Sequence, residues 1–453
     1  MTNKGIDHID KSPLFAQRVD TLVDNMTGVY QLGVPAQLSA TEVLISMNIR
    51  ASGVKAIDLE IGNDFVIIDS LEHPTKGKAQ VFDRYSRGIN PINGKEVLFS
   101  HYPRALHFVP FGAKRLDGSP HPHAGTGFAV NQIMGFPITG LDRPDCFSGI
   151  PEEEIFYGLE LSQCEYDGKE FKVISSEIRQ INEFLPGKAI AGGGMSMAIP
   201  DGDDLLTPFN ADTYRGENKV FGCGILRWSR GGSGWQVSDY IEVIPPDLEH
   251  QNTISGITMG FCESSLARAA DSSLVYTARE IGPDPFGKGP QDAERLIVWR
   301  STDNAKTWSR IFEVPHFHTL TPLSLGRAAD GSLFISANKH CTQNFKGEHL
   351  GSMILRECLL AWPLKNDFSG LEEPLVICDA PTEFGAPTWG SFWRVDHPIA
   401  LPVRLKDGKW HTIVCFRVLE HNECDSDAPM TPFTGCYVRE INCLGETLPP
   451  WNF

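Results

Sequence analysis

The stretch TPLSLGRAADGSLFISANKH, residues 321–340, reads as two short apolar runs on either side of an Asp-Gly turn. Alternating apolar residues flanking such a dipeptide signal an antiparallel hairpin, because Asp and Gly tolerate the positive φ that a tight turn demands. The phrase recurs. ESSLARAADSSLVYTARE at 263–280 and HPIALPVRLKDGKWHTIVCFRV at 397–418 repeat its form, and GGMSMAIPDGDDLLTPFNADTY at 193–214 is a looser copy. A longer one runs from His101 through Asp117 and Gly118 to Gln132. The copies begin near 101, 193, 263, 321 and 397, an irregular period that matches a blade once loop insertions are allowed.

Self-similar hairpins at this spacing point to a ring of four-stranded sheets. VKAIDLEIG and DFVIIDSL, around residues 54–70, supply an N-terminal blade and bring the count to six or seven. The expected fold is all-β: a six- or seven-bladed β-propeller of four-stranded antiparallel blades, forming one domain over 1–453. An N-terminal extension over 1–30 is expected to hold a short outer helix in LFAQRVDTLVDNM, 14–26. Pairing of the two chain ends in one blade would close the ring, since free edge strands invite aggregation.

Forty-three glycines and thirty-one prolines describe a turn-rich chain, and a hydrophobic fraction of 41% leaves it able to bury a large core. A net charge of −17 argues against a nucleic-acid groove or an anionic membrane as partner, because both need a basic surface. It leaves room for a small anionic substrate, which needs only a local cluster of arginines. No stretch approaches the roughly 20 apolar residues of a membrane span. The first residues, MTNKGIDHIDKSPLF, lack an apolar signal core, so a cytoplasmic location is expected. Eleven cysteines without a CxxC spacing fit reduced thiols better than a disulfide framework or a zinc knuckle.

The starts of inner strands point toward the mouth of a propeller's channel, and there the repeats offer Arg104, Glu263, Arg279, Asp396 and His397. Glu263 follows Phe261 and Cys262 and precedes an apolar strand, a setting that raises a carboxyl pKa for acid or base work. A carboxylate tying neighbouring blades through backbone amides is the other reading. Arg279, Arg394 and Arg417 are candidates for clamping a substrate carboxylate, or for inter-blade ion pairs. Trp393, like Trp389, is either a platform for a sugar's apolar face or part of the core. His101, His107, His121 and His123 gather around one hairpin, and an extended HPH puts His121 and His123 on one face; HFH at 316–318 repeats the pattern. Such a pair can serve as acid and base, or bind a divalent metal given a third ligand.

Residues 301–308, STDNAKTW, resemble the Asp-box, the Ser-x-Asp-x-Gly-x-Thr-Trp turn repeated in sialidases and their relatives. Ser301, Asp303, Thr307 and Trp308 match, and Ala305 stands where the family has glycine, which implies a strained or reshaped copy. WSRGGSGW at 228–235 looks like a second, degenerate box. In the family these boxes close outer hairpins, away from the active centre. The resemblance extends to the order of parts over 263–308, where Glu263, Arg279 and the box stand as the sialidase group places its central glutamate, a carboxylate-binding arginine and the following turn. Two departures are plain. The family's Arg-Ile-Pro is replaced by Tyr102-Pro103-Arg104, and the late tyrosine available as nucleophile is Tyr437.

The resemblance implies a sialidase-like exo-glycoside hydrolase acting on an acidic or deoxy-sugar glycan, with Glu263 as acid or base and Arg104, Arg279 and Arg417 holding substrate. The early histidines also resemble the arrangement of propeller-type polysaccharide lyases such as ulvan lyases. On that reading His101, His121, His123, Tyr214 and Arg215 are the parts of a β-elimination. A non-catalytic glycan-binding propeller is the third alternative. The partner expected is an oligosaccharide or glycan, with no cofactor required; a divalent metal is the one addition that the histidine pairs leave open.

Overall fold

A computed structural model describes residues 11–14, 18–20, 27–52, 60–72, 87–138, 154–185, 190–194, 196–215, 218–220, 222–231, 234–245, 253–254, 257–258, 261–280, 294–318, 321–339, 356–388, 392–420 and 431–441. These form a six-bladed β-propeller of antiparallel blades. The first blade comprises Arg18–Asp20, Thr27–Gln37, Val43–Ser52 and Glu60–Ile68. The second holds the long strands Glu96–Val109, Thr126–Pro137, Phe156–Tyr166 and Phe171–Gln180, with Arg87–Ile89 added at one end. The third is built on Asp204–Arg215, Cys223–Gly231 and Gly234–Ile244, its first strand broken into Ile190–Gly193 and Ile199–Asp201.

Phe261–Arg268, Leu274–Glu280, Glu294–Ser301 and Ser309–His318 make the fourth blade. Ser324–Arg327, Leu333–Asn338, Cys358–Pro363 and Leu375–Asp379 make the fifth. The sixth has Trp393–Arg404, Trp410–Glu420 and Gly435–Glu440.

The five repeated hairpins are the first two strands of blades two to six. Four of their turns share one construction. Asp117, Asp271, Asp330 and Asp407 each accept a hydrogen bond from the backbone N–H two residues on, at 2.9–3.0 Å. The residue after the aspartate takes a left-handed φ: 84° at Gly118, 87° at Gly331, 79° at Gly408 and 69° at Ser272. Only the last carries a Cβ. Ser272 is exposed and its side chain is dispensable for the turn, so Ser272→Gly is expected to stabilise the chain by roughly 0.5–1 kcal/mol. That is the left-handed penalty of about 1–2 kcal/mol less the added chain entropy of glycine. A rise in the urea midpoint with unchanged slope would register it.

Middle strands read as apolar runs because each blade packs against a neighbour on both faces. Leu333–Asn338 is buried at every position, whereas the outer strand Phe171–Gln180 is mostly solvent-facing. Each junction has its own apolar cluster. Leu206, Ile225, Leu266 and Tyr276 join blades three and four; Val298, Leu325 and Ile335 join four and five; Phe334, Ala361, Val395 and Phe416 join five and six. Inner strands diverge too much to pair as sheet, and hydroxyls fill the gap. Ser196 Oγ accepts from Leu266 N (2.9 Å), Ser265 Oγ from Leu325 N (2.7 Å) and Thr412 Oγ1 from Ala329 N (2.8 Å), so these buried amides are not left unpaired.

Residues 11–14 lie against the sixth blade without forming a strand of it, and the chain ends themselves lie outside the described residues. Leu14 N donates to Cys436 O (2.8 Å) and Tyr437 Oη lies 3.2 Å from Lys11 O, placing 11–14 beside the last strand of the sixth blade. The outer helix expected over 14–26 is not what residues 18–20 form: they pair as a strand with 27–29. An isolated helix of that length is marginal in water, while the edge of Thr27–Gln37 offers partners to every exposed amide. Of the N-terminal blade segments, Glu60–Ile68 is a strand and residues 53–59 lie outside the described ones. At 301–308, Ser301 Oγ and Thr307 Oγ1 both donate to Asp303, and Ala305 takes φ 68°, the conformation a glycine would favour. The seven cysteines among the described residues are free, and none of the described helices is long and apolar enough to cross a membrane.

Candidate active site

The innermost strands of blades one, two, four and six each carry a bulge at a similar distance before the strand's end. Pairing slips between Tyr30 and Gly33, Pro103 and Ala105, Cys262 and Ser265, and Asp396 and Ile399. A bulge adds one unpaired residue and re-aims its side chain. In three of the four, the residues inside the slip are among those singled out above: Arg104, Glu263 and His397. Glu263 (φ 46°) and His397 (φ 55°) are held left-handed, a conformation costing on the order of 1–3 kcal/mol that persists only where surrounding structure enforces it.

The bulges of blades two, four and six bring their side chains together, and Arg356 joins them from blade five, a convergence that in a ring happens around the axis. Arg279 Nη1 meets Glu263 Oε2 at 2.5 Å. His397 and Arg104 are within electrostatic reach of the same carboxylate. In the sixth blade Asp396 is the hub. It accepts from Arg417 Nε, from Arg356 Nη1 of the fifth blade at 2.5 Å, and from His397 Nδ1 at 2.9 Å, with Arg394 Nη2 at 3.8 Å. Arg356 in turn lies near Arg279, which links the two groups. Arg104 is steadied by Gln132 Oε1, which accepts from Nε (3.0 Å) and Nη2 (2.8 Å), and its guanidinium lies 4.8 Å from the centre of the Tyr102 ring.

Exposure sorts the group into two layers. Asp396 is fully buried and Arg417 is 3% exposed, while Glu263 (19%), Arg279 and Arg394 (16% each) and His397 (11%) reach solvent. Asp396, expected as a catalytic group, is therefore the charge anchor beneath the site, and Arg417 is its buried partner rather than a substrate clamp. Burial would push the Asp396 carboxyl up, but Arg417, His397 and Arg356 together hold it well below the usual carboxylate range.

Glu263 behaves opposite to expectation. Burial favours its protonated form, yet Arg279, with His397 and Arg104 behind it, overrides this and holds the carboxyl at about 2. His397 goes the other way from an ordinary histidine: burial, against the pull of Asp396, brings it to about 4. At neutral pH the site therefore presents an ionised Glu263 beside a neutral imidazole. Asp396 fixes that imidazole's Nδ1–H, which leaves Nε2 as a lone-pair acceptor.

The other candidates lie elsewhere. His101 is buried inside the second blade against Glu160 (3.3 Å), whose oxygens also accept from Asn131 and Ser176, so it is part of a blade-internal polar cluster and not of the site. Trp393 is 1% exposed, donates to Gly385 O (2.8 Å) and packs on Phe384 and Phe433; it is core, and no sugar can stack on it. Tyr437 is likewise buried, its hydroxyl donating to Phe433 O.

His121 and His123 sit in the turn between the first two strands of the second blade, at the opposite end of the strands from Glu263. They join His107 and Arg230 there, away from the arginine cluster, so the expected union of this pair with His101 does not form. The side chains of Tyr214, Arg215, His316 and His318, and the whole of Trp389, lie outside the described residues. Among the described residues, no three His, Cys, Asp or Glu side chains are grouped to hold a metal ion.

Arg356 is the residue that the sequence reading missed. It belongs to no repeated phrase, and its one signal is an arginine directly ahead of an apolar strand, the setting that drew attention to Glu263.

No protein-family model matches the sequence, and no curated protein does either. Among solved structures, a protein of unknown function from Dyadobacter fermentans is similar at 12% identity and a TM-score of 0.53, over 94% of this chain and 97% of that one. The Trypanosoma rangeli sialidase, solved with sialic acid, is similar at 10% identity and a TM-score of 0.51 over 90% of this chain. The NanB sialidase of Streptococcus pneumoniae is similar at 11% identity and a TM-score of 0.50 over 92%. What they share is the fold. This chain spans 57% of the trypanosomal protein and 69% of the streptococcal one, so those proteins carry further parts without counterpart here.

Proposed function

We propose that the protein is a glycosidase that removes a carboxylated sugar from a glycan by adding water across the glycosidic bond. One observation carries this reading. In a chain of net charge −17, five arginines from four blades (Arg104, Arg279, Arg356, Arg394 and Arg417) gather around Glu263 and Asp396 among the described residues. So many guanidinium groups in one partly desolvated site suit an anion, and a guanidinium fork matches a carboxylate's two oxygens. Arg279, Arg394 and Arg104 are the accessible members and would hold the substrate; Asp396 keeps the array from repelling itself apart.

With the sugar carboxylate so held, the anomeric carbon lies over the bulge residues. The ionised Glu263 stabilises the positive charge that grows on the ring as the C–O bond breaks, and takes the proton of the water whose oxygen bonds to the anomeric carbon. The departing oxygen takes its proton from solvent.

A second reading is favoured by His397. A neutral imidazole beside carboxylate-binding arginines is the set that β-elimination of a uronate requires: Nε2 removes the C5 proton next to the carboxylate, the C4–C5 double bond forms, and the C4–O bond breaks with its electron pair going to the departing oxygen, which takes a proton from solvent. The two are separated by weighing the products formed from sialosides and from rhamnose- and iduronate-linked uronides. Products that together gain one water support hydrolysis; an unsaturated product without added water transfers the proposal to His397; no turnover on the panel leaves neither standing. On either reading the activity is expected to hold across neutral pH and fall with acid. His397 takes up a proton near 4 and Glu263 near 2, so the loss begins at the first of these if His397 is the base and at the second if Glu263 alone is required.

A further inference from the structure

The histidines that the arginine cluster leaves out line a cleft of about 470 Å³ between the second and third blades. Its walls include His107, His121 and His123 from one blade and Asp203, Arg230 and Trp235 from the other. A second hollow of about 440 Å³ adjoins it, sharing His123, Arg230 and Trp235. Arg230 is posed rather than loose: its guanidinium lies 4.8 Å from the centre of the Trp235 ring, and its Nη1 lies 2.5 Å from His123 Nδ1. It forms no salt bridge with any described carboxylate, and Asp203 acts on it only from a distance.

The hydrogen bonds fix the tautomers. A guanidinium can only donate, so His123 Nδ1 accepts and its proton is on Nε2. A backbone amide also only donates, and His123 N points to His121 Nδ1 at 3.2 Å, so His121 likewise carries its proton on Nε2. The cleft therefore offers two imidazole N–H groups and the remaining guanidinium N–H groups, with two acids in its wall, Asp203 and Asp204, of which Asp204 already accepts from Arg227 and Ser229. Burial and the nearby Arg230 also keep all three imidazoles from charging, His107 down to about 4. Directed donors around a guanidinium that forms no salt bridge with any described carboxylate are matched by a ligand that brings acceptors and negative charge.

We propose that this cleft is a binding site for an oxyanion group, a carboxylate, sulfate or phosphate on a small ligand, separate from the arginine cluster at the channel. Arg230 supplies the charge, and His121 and His123 supply directed donors. Trp235 serves as the support for Arg230, with Phe128 behind it at 5.8 Å.

The test follows the imidazole resonances of His121 and His123 in the full chain while inorganic sulfate, inorganic phosphate, glucuronate or uncharged glucose is added. Saturable shifts are expected with the three anions and none with glucose. Arg230→Met is expected to weaken them at least about tenfold, Arg230→Lys to weaken them less, and Arg394→Met, at the channel, to leave them unchanged. Glucuronate binding tighter than the inorganic anions would assign the site to acidic sugars; the reverse would assign it to phosphoryl or sulfuryl groups. Absent or non-saturating shifts, equal shifts with glucose, or shifts lost in Arg394→Met but kept in Arg230→Met would overturn the proposal.

Discussion

Glu263→Gln is expected to keep the fold and lower kcat by about 10²–10⁴-fold, the range over which a positioned acid or base contributes. The amide preserves the shape and one hydrogen bond to Arg279 but removes the charge that the transition state uses. The companion effect is on binding. Without Glu263 the arginines face a substrate carboxylate with one fewer competing anion, so KM for carboxylated substrates is expected to fall as kcat falls. That split distinguishes a catalytic group from a structural one, because a merely misfolded site would lose both binding and turnover. Steady-state kinetics on whichever acidic oligosaccharide proves a substrate decide it. A kcat within about threefold of the parent would take Glu263 out of the chemistry, and if products are unsaturated, His397→Gln becomes the variant that should carry the loss.

Asp396→Asn is expected to cost about 3–5 kcal/mol of stability, because it removes the buried carboxylate that Arg417 and Arg356 share. The acid response of the parent has the same origin. Asp396 is held below its ordinary range, so its contribution is present above the unfolded carboxylate pKa and is lost as pH falls below it. His397 and His107, both lowered to about 4, contribute above pH 6.5, where folded and unfolded imidazoles are alike neutral. That contribution is lost as pH falls from 6.5 toward 4 and the unfolded chain alone takes up protons. Urea unfolding at neutral pH measures the substitution. A loss under about 1 kcal/mol would mean that Asp396 contributes no more than a surface ion pair.

Most of the site's raw material was visible in the chain. Glu263, Arg104 and His397 were found because each stands near where a repeated hairpin begins, and Arg279 because it ends the same hairpin opposite Cys262; a propeller brings these strand ends to one axis. Burial, which decides what touches a ligand, was not visible. Asp396 and His397 are neighbours in sequence, yet the bulge turns one under the arginines and the other toward the channel. Trp393 satisfies the pattern for a sugar platform equally well as the pattern for a core residue, and only its contacts with Phe384 and Phe433 settle which. The direction of Glu263's pKa was misjudged for a related reason: its apolar sequence neighbours suggested desolvation, while the arginine that overrides it arrives from the next strand.

The sequence by itself determined the all-β character and the repeated Asp-Gly hairpins, because alternation and turn chemistry act over a few residues and need no distant partner. The tertiary structure decided the blade count of six, the recruitment of Arg356, and the separation of the histidine pair from the arginine cluster. These depend on which face of the ring each strand end reaches and on which charges meet across blades, long-range facts that no local pattern encodes.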